Sequence, residues 1–357
     1  MNKLKKIGLS ALAGSLAMTT ANAVDYVVAG DAAMNYTSET ANTSTGNGDA
    51  FNLDTSLYFD ASGSLDNGWD VSFSMDWDNE SGTVAATSTQ AAVTMGSMGT
   101  IQINQIGGSA ANAIDDVTPS AYEEAYGMGG LSDGTGATGA ARAAGDAGFF
   151  GSSTNSGSIQ YTLPALEASG ATVTASIGFD PASNTDGASF NGTQGGESGM
   201  FYVLRVKHES GLEVGAGLEE IKSERVGLPA AGKDAKDEES VTAFAKYAMG
   251  PVSVGYQESY QDSIDGAADF EANMWSIAYT AGDMSISYGE TEAITKGLAA
   301  TAERTTDADA IAVSYSMGSM TIQAQRSEQS RSTVATTGGA ATSRDLDETG
   351  IKVSFAF

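Results

Sequence analysis

The chain contains one histidine, His208, and no cysteine, so the usual neutral-pH bases, nucleophiles and soft metal ligands are nearly absent. A Ser-His-Asp arrangement would have to recruit His208, which follows Lys207 at an expected strand end, and no Gly-x-Ser-x-Gly elbow surrounds a serine that could serve it. Gly107-Gly108 and Gly129-Gly130 lack the Lys-Ser/Thr and helix that a phosphate cradle needs. An enzyme is therefore not expected. What remains is the electrostatics of carboxylates. Asp115-Asp116, Glu123-Glu124 and the run Asp234 to Glu239 offer hard oxygen ligands. Without an Asp-x-Asp-x-Asp-Gly loop they imply no dedicated cofactor site, only loosely bound Ca²⁺ or Mg²⁺ at acidic loops. A second set, Asp54, Asp60, Asp70, Asp76 and Asp78, recurs at even spacing and so shares one face of extended chain.

The segments that must position these groups alternate with a period of two. Leu53, Thr55, Leu57 and Phe59 take one face, and Asn52, Asp54, Ser56 and Asp60 the other. Trp69, Val71, Phe73, Met75 and Trp77 alternate with Asp70, Ser72, Ser74, Asp76 and Asp78. Aromatic residues at both ends of an aliphatic stripe match a lipid-facing band between interfacial girdles. On such a face each aspartate would cost a few kcal/mol near the midplane; in a wet lumen it costs little and favours cations. The last strand, Ile351 to Phe357, is apolar at every odd position and ends in phenylalanine.

Lys3, Lys5 and Lys6, the apolar stretch Ile7 to Met18 and the Ala21-Asn22-Ala23 site read as a cleavable export signal over 1–23, leaving 24–357 as one domain. The mature part has no run of about 18 apolar residues, so a helical membrane span is not expected. Zero cysteine in an exported chain excludes a disulfide scaffold. The excess of 45 Asp and Glu over 17 Lys and Arg repels nucleic acid and anionic solutes. Recurrent aromatic and β-branched residues argue against acidic disorder.

Strands are expected near 24–36, 51–62, 68–78, 90–96, 99–106, 157–164, 170–180, 199–209, 212–221, 240–249, 251–261, 270–281, 282–292, 308–317, 319–328 and 348–357. Tight glycine-bearing turns, such as Met249-Gly250-Pro251 and Ala281-Gly282-Asp283, alternate with long polar loops around 37–50, 79–89, 107–156, 181–198, 222–239, 293–307 and 329–347. Alternating short and long connections suit a transmembrane antiparallel β-barrel of about sixteen strands, wide enough for a water-filled lumen. An exported β-sandwich or solenoid, an adhesin or surface protein, shares the composition and remains the other class.

From Gly96-Ser97-Met98-Gly99-Thr100-Ile101-Gln102-Ile103, through Gly107 to Asp116, to Gly157-Ser158-Ile159-Gln160-Tyr161-Thr162-Leu163-Pro164 and Val173 to Gly178, the chain resembles the general diffusion porins of Gram-negative outer membranes, most of all the α-proteobacterial group. The resemblance implies an outer-membrane barrel, usually a homotrimer, in contact with lipid bilayer and lipopolysaccharide. It implies that Phe357 is read by the barrel-assembly machinery, and that small hydrophilic solutes diffuse through passively. It also implies that the third long loop, 107–156, folds inward as a constriction, its carboxylates Asp115, Asp116, Glu123 and Glu124, with Asp133 and Asp146, facing basic side chains across the lumen. Strand parity places Arg205, Lys207, Lys246 and Lys352 inward, with Arg326 a further candidate. This basic set is thin, which favours a cation-biased pore. A substrate-specific channel, with Tyr122, Tyr126, Phe149 and Phe150 as an aromatic slide, is the alternative within the same fold.

Overall fold

The computed structural model describes residues 25–41, 48–80, 83–125, 157–181, 198–222, 237–262, 269–296, 301–335 and 342–357. The expected export signal lies outside them. The first half of the sheet is β1 (Asp25–Ala41), β2 (Gly48–Ser64), β3 (Asp70–Glu80), β4 (Thr83–Thr94), β5 (Thr100–Ile106), β6 (Ser158–Thr162), β7 (Leu166–Ala168), β8 (Ala171–Asp180) and β9 (Gly199–His208). It continues as β10 (Leu212–Ile221), β11 (Glu238–Met249), β12 (Val252–Asp262), β13 (Asp269–Ala281), β14 (Met284–Lys296), β15 (Thr301–Met317), β16 (Met320–Ala335) and β17 (Thr342–Ala356).

Each strand pairs antiparallel with its sequence neighbour, and β1 pairs with both β2 and β17, so the sheet closes on itself. The short β6 and β7 both pair with β8 and share one stave, interrupted at Leu163-Pro164-Ala165, where proline has no N–H for the ladder. Seventeen strands thus make sixteen staves. Closure removes the free edges that hydrocarbon would not tolerate, since no water is present there to satisfy unpaired backbone groups. A ring of this size leaves a channel. The outward rows are apolar and open to the surroundings, as at Tyr256, Ile277, Ile286 and Ile311, while their neighbours Gln257, Ser276, Ser287 and Ala310 are buried. Neither a sandwich nor a solenoid fits this ring.

All sixteen expected strands are present, but several run further at the long-loop end. β15 begins at Thr301 instead of 308, β16 ends at Ala335 instead of 328, and only residues 81–82 separate β3 from β4. The cause is that above the lipid both faces of a strand meet water. Apolar alternation then stops although the ladder continues. At the other end, Gly250, Gly282 and Gly318 adopt φ of 58°, 61° and 61° at the first position of two-residue turns, the positive φ such hairpins need there.

The seam is closed by Gly30 and Phe357, whose N–H and C=O groups exchange two bonds of 2.9 Å. A Cβ at Gly30 would stand 2.8 Å from the Ser56 carbonyl oxygen and 3.0 Å from the Phe357 ring, whereas one at Gly48 would meet nothing. Gly30→Val is therefore expected to lower the temperature at which the detergent-solubilised barrel loses its folded, heat-modifiable gel band, by several degrees more than Gly48→Val does. Equal shifts for the two variants would contradict the tight seam.

Candidate functional site

After β5 the chain leaves the wall through Gly107 and Gly108, with φ of 57° and 68°, a consecutive pair that only glycine adopts cheaply. A Cβ on Gly108 would also collide with the Gln90 side chain. The segment then lies along the polar inner face of the barrel. The Ala110 N–H donates to Gln160 Oε1 (2.7 Å), Val117 N–H to Gln257 Oε1 (2.9 Å), Ala121 N–H to Ser287 Oγ (2.8 Å) and Glu123 N–H to Gln325 Oε1 (2.9 Å). Ser276 Oγ donates to the Pro119 carbonyl at 2.7 Å. Residues 110–123 thus pass over β6, β12, β13, β14 and β16.

Two glutamines contribute more than one bond each. Gln257 Nε2 donates to the carbonyls of Ile114 (2.9 Å) and Asp115 (2.7 Å), and Gln325 Nε2 to that of Glu124 (3.0 Å). With both amide ends engaged, each side chain takes the place of a neighbouring strand for a backbone that has none. Such bonds contribute roughly 1 kcal/mol apiece, and leaving the carbonyls buried without them would cost more. A small apolar cluster completes the contact: Ala111 and Ile114 from the loop meet Phe201 and Val203 of β9 and Phe244 of β11. Full burial of Ile114 contributes at most about 1.5–3 kcal/mol. Phe201 and Phe244 stand opposite Gly178 and Gly215 in register, where a Cβ would overlap each ring.

The loop carboxylates Asp115, Asp116, Glu123 and Glu124 are half-buried. Burial first, and then the charge of Asp116, pushes the Glu124 carboxyl up to about 7. Burial also raises Glu123, while the nearby Lys352 ammonium pulls it back. The Tyr122 hydroxyl is pushed up to about 12 by burial and by the charges of Glu123, Asp54 and Glu348, which puts Asp54 of β2 and Glu348 of β17 in the same field. The Asp116 N–H donates to Asp115 Oδ1 at 2.9 Å.

The strand carboxylates Asp54, Asp60, Asp70, Asp76 and Asp78 occupy one face of β2 and β3, Asp60 opposite Ser74 and Asp76 opposite Tyr58. The Tyr58 hydroxyl donates to Asp31 of β1 at 2.8 Å, adding a sixth acid to this wall. Ser64 Oγ donates to Asp70 at 2.6 Å, and Asn52 Nδ2 to Asp54 at 2.5 Å.

The basic side chains group differently. Arg205, Lys207 and Lys246 converge on Glu213 at 2.5, 3.8 and 3.4 Å, close to the short turns. Arg205 also donates to the Ala113 carbonyl at 3.4 Å and lies over the Phe244 ring at 5.9 Å. Arg205 thus braces the loop against its wall, and the three bases, gathered on one carboxylate, do not form a ladder. Arg326, considered above as inward, is on the outer face with Glu328 (2.9 Å), because its neighbour Gln325 reaches the loop. Asp133, Asp146, Tyr126, Phe149 and Phe150 lie outside the described residues. His208 Nδ1 accepts the Ser210 N–H (3.1 Å) in a turn. Among the described residues no group of three or more His, Cys, Asp or Glu is arranged to hold a metal.

A family model described as Gram-negative porin matches residues 8–332. Solved structures with the same fold include OmpT of Vibrio cholerae in a trimer form (TM-score 0.62, 13% identity, 94% of this chain and 100% of that one). They also include OmpF of Salmonella typhi in complex with daunomycin (0.60, 13%, 94% and 98%) and an anion-selective porin from Comamonas acidovorans (0.60, 13%, 94% and 100%). No curated protein sequence matches the chain.

Glu124 yields a pH prediction. Between the ordinary carboxylate range and about 7 the folded chain holds a proton that the unfolded chain releases, so this group's contribution to stability falls as pH rises through that window. Its negative charge in the lumen appears as pH rises through about 7. Cation preference in a planar bilayer should therefore be weaker at pH 6 than at pH 8, and Glu124→Gln should flatten most of that difference. An unchanged pH response in the variant would count against the assignment.

Proposed function

The chain belongs to the Gram-negative porin family, a multi-pass β-barrel of the outer membrane, and from that premise we propose a passive, cation-biased channel for ions and small hydrophilic solutes. Passage involves no covalent step and no catalytic residue. The observation that carries the cation bias is the distribution of charge. Six carboxylates, Asp31, Asp54, Asp60, Asp70, Asp76 and Asp78, share the polar face of β1–β3, and Asp115, Asp116, Glu123 and Glu124 lie along the loop. Of the inward bases that could offset them, Arg205, Lys207 and Lys246 are drawn together around Glu213, and Lys352 lies near Glu123. In a wet lumen such carboxylates raise the local cation concentration and lower it for anions.

The segment 107–125 forms part of the constriction. By analogy with the trimeric form of the OmpT structure, the working unit is a homotrimer. The N-terminal 23 residues direct export and are removed. Phe357, at the closing seam, presents the end of the chain to the assembly machinery, and the long-loop rim contacts lipopolysaccharide.

Recording single channels under a salt gradient tests this reading. The reversal potential should show cation preference at neutral pH, and the double variant Asp54→Asn, Asp76→Asn should move it towards zero while keeping conductance. Anion preference in the unaltered protein would refute the charge account; absence of conductance would remove the channel itself.

A further inference from the structure

We propose that Thr291 of β14 tunes selectivity through Glu124: by way of one water molecule held in a cavity between residues 118–125 and the wall, its hydroxyl solvates the Glu124 carboxylate and sets how readily that charge is displayed to passing ions. The proposal rests on the channel reading above and adds to it a water site and a positioning residue.

The cavity lies where the segment crosses β13–β15. Pro119, Glu123 and Glu124 line it from the loop, and Gly289, Thr291 and Ala310 are among the wall residues that face them. Small wall residues leave the space open. A Cβ at Gly289 would stand 3.1 Å from Ser276 Cβ and 3.8 Å from Ala125 Cβ, so no side chain fills that corner. The cavity measures about 10 Å³, room for a single water molecule. Thr291 stands on the inner row of β14, between outward Glu290 and Glu292, and is 4% exposed. Its Oγ1 has no hydrogen-bond partner among the described residues. Neighbouring hydroxyls are engaged: Ser276 Oγ donates to the Pro119 carbonyl, Ser120 Oγ donates to that of Glu123, and Ser287 Oγ accepts the Ala121 N–H. A buried hydroxyl left without a bond is costly, and a polar cavity of one water's size supplies the partner.

On the loop side of the same cavity is a carboxylate with few donors. Among the described residues the charges acting on Glu124 are Asp116 and Glu123, both negative, while Lys352 of β17 acts on Glu123. Against this segment β13–β16 present Ser276, Ser287, Thr291, Ala310, Ala312 and Gln325, none of them titratable. The loop N–H groups of Ala121 and Glu123 are committed to Ser287 and Gln325. Glu124's own N–H favours the ionised form. Further support comes through the cavity: the Thr291 hydroxyl donates to the water, and the water donates to the carboxylate. A water-mediated bond of this kind favours the charged state. It opposes the burial and the two acidic neighbours that push the carboxyl up to about 7.

The test records reversal potentials of the full-length protein in planar bilayers under a KCl gradient, from about pH 5 to about pH 9. Cation preference of the unaltered protein should rise with a midpoint at about 7. Thr291→Val keeps the shape of the side chain and removes the donor, so it should move that midpoint up by about one pH unit. Thr291→Ser, which keeps the hydroxyl, should hold the midpoint where it was. In a Glu124→Gln background Thr291→Val should change the profile no further, because the residue acts through the carboxyl. A high-resolution crystal structure of the unaltered protein should show one ordered water between Thr291 and Glu124. The proposal is overturned by a flat profile in the unaltered protein, by a midpoint that Thr291→Val leaves in place or lowers, or by an equal effect in the Glu124→Gln background. Absence of the water overturns it too, and decides the matter if the valine variant fails to fold. No conductance from the unaltered protein would instead reject the channel reading on which the proposal stands.

Discussion

Backbone amides in hydrocarbon have no water to bond, and that constraint shapes the whole molecule. Each strand must be paired on both sides, so the sheet must close, and β1 meets β17 as well as β2. Once sixteen staves close, the outward row must suit lipid and the inward row must suit whatever fills the interior. Alternation along each strand follows from that division. The carboxylates of β2 and β3 are tolerable only because it places them in water.

A hollow of this size is too wide to be filled by wall side chains, and a loop placed inside it brings its own backbone groups that need partners. The structure meets that need with side chains from the wall: Gln160, Gln257 and Gln325 accept loop N–H groups, and Gln257, Gln325 and Ser276 donate to loop carbonyls. The electrostatic character then follows from which charges are already engaged. Arg205, Lys207 and Lys246 are committed to Glu213, and Arg205 also to the loop, whereas the aspartates of the opposite strands are bonded by hydroxyls and amides that leave their charge intact.

Much of the fold was legible because lipid on one face and water on the other writes a period of two into the sequence. The stripe from Val71 to Trp77 is such a signal, and it fixed the face of Asp70, Asp76 and Asp78. Strand ends were less legible. Around Thr305 to Asp307 both faces meet water, so β15 continues with no apolar mark. The loop seat was missed for a related reason. Met200-Phe201-Tyr202-Val203-Leu204 is apolar on both faces, and parity alone cannot show that Phe201 and Val203 face a docked loop. The unbroken apolar run, opposite strand glycines Gly178 and Gly217, was the available signal. Arg326, a further inward candidate, lies outward with Ile322 and Ala324, a parity that the alternation with Gln323 and Gln325 already carried.

The central claim is that one face of this sheet and the segment 109–125 share a water-filled lumen, while the other face meets lipid. Single cysteines placed in the cysteine-free chain test it directly, at Asp54 and Tyr122 for the lumen and at Leu204 and Val214 for the lipid face. A charged, membrane-impermeant thiol reagent added to open channels should react at the first pair and step the current down, and leave the second pair untouched. Reaction at Leu204 and Val214, with Asp54 and Tyr122 protected, would contradict the account.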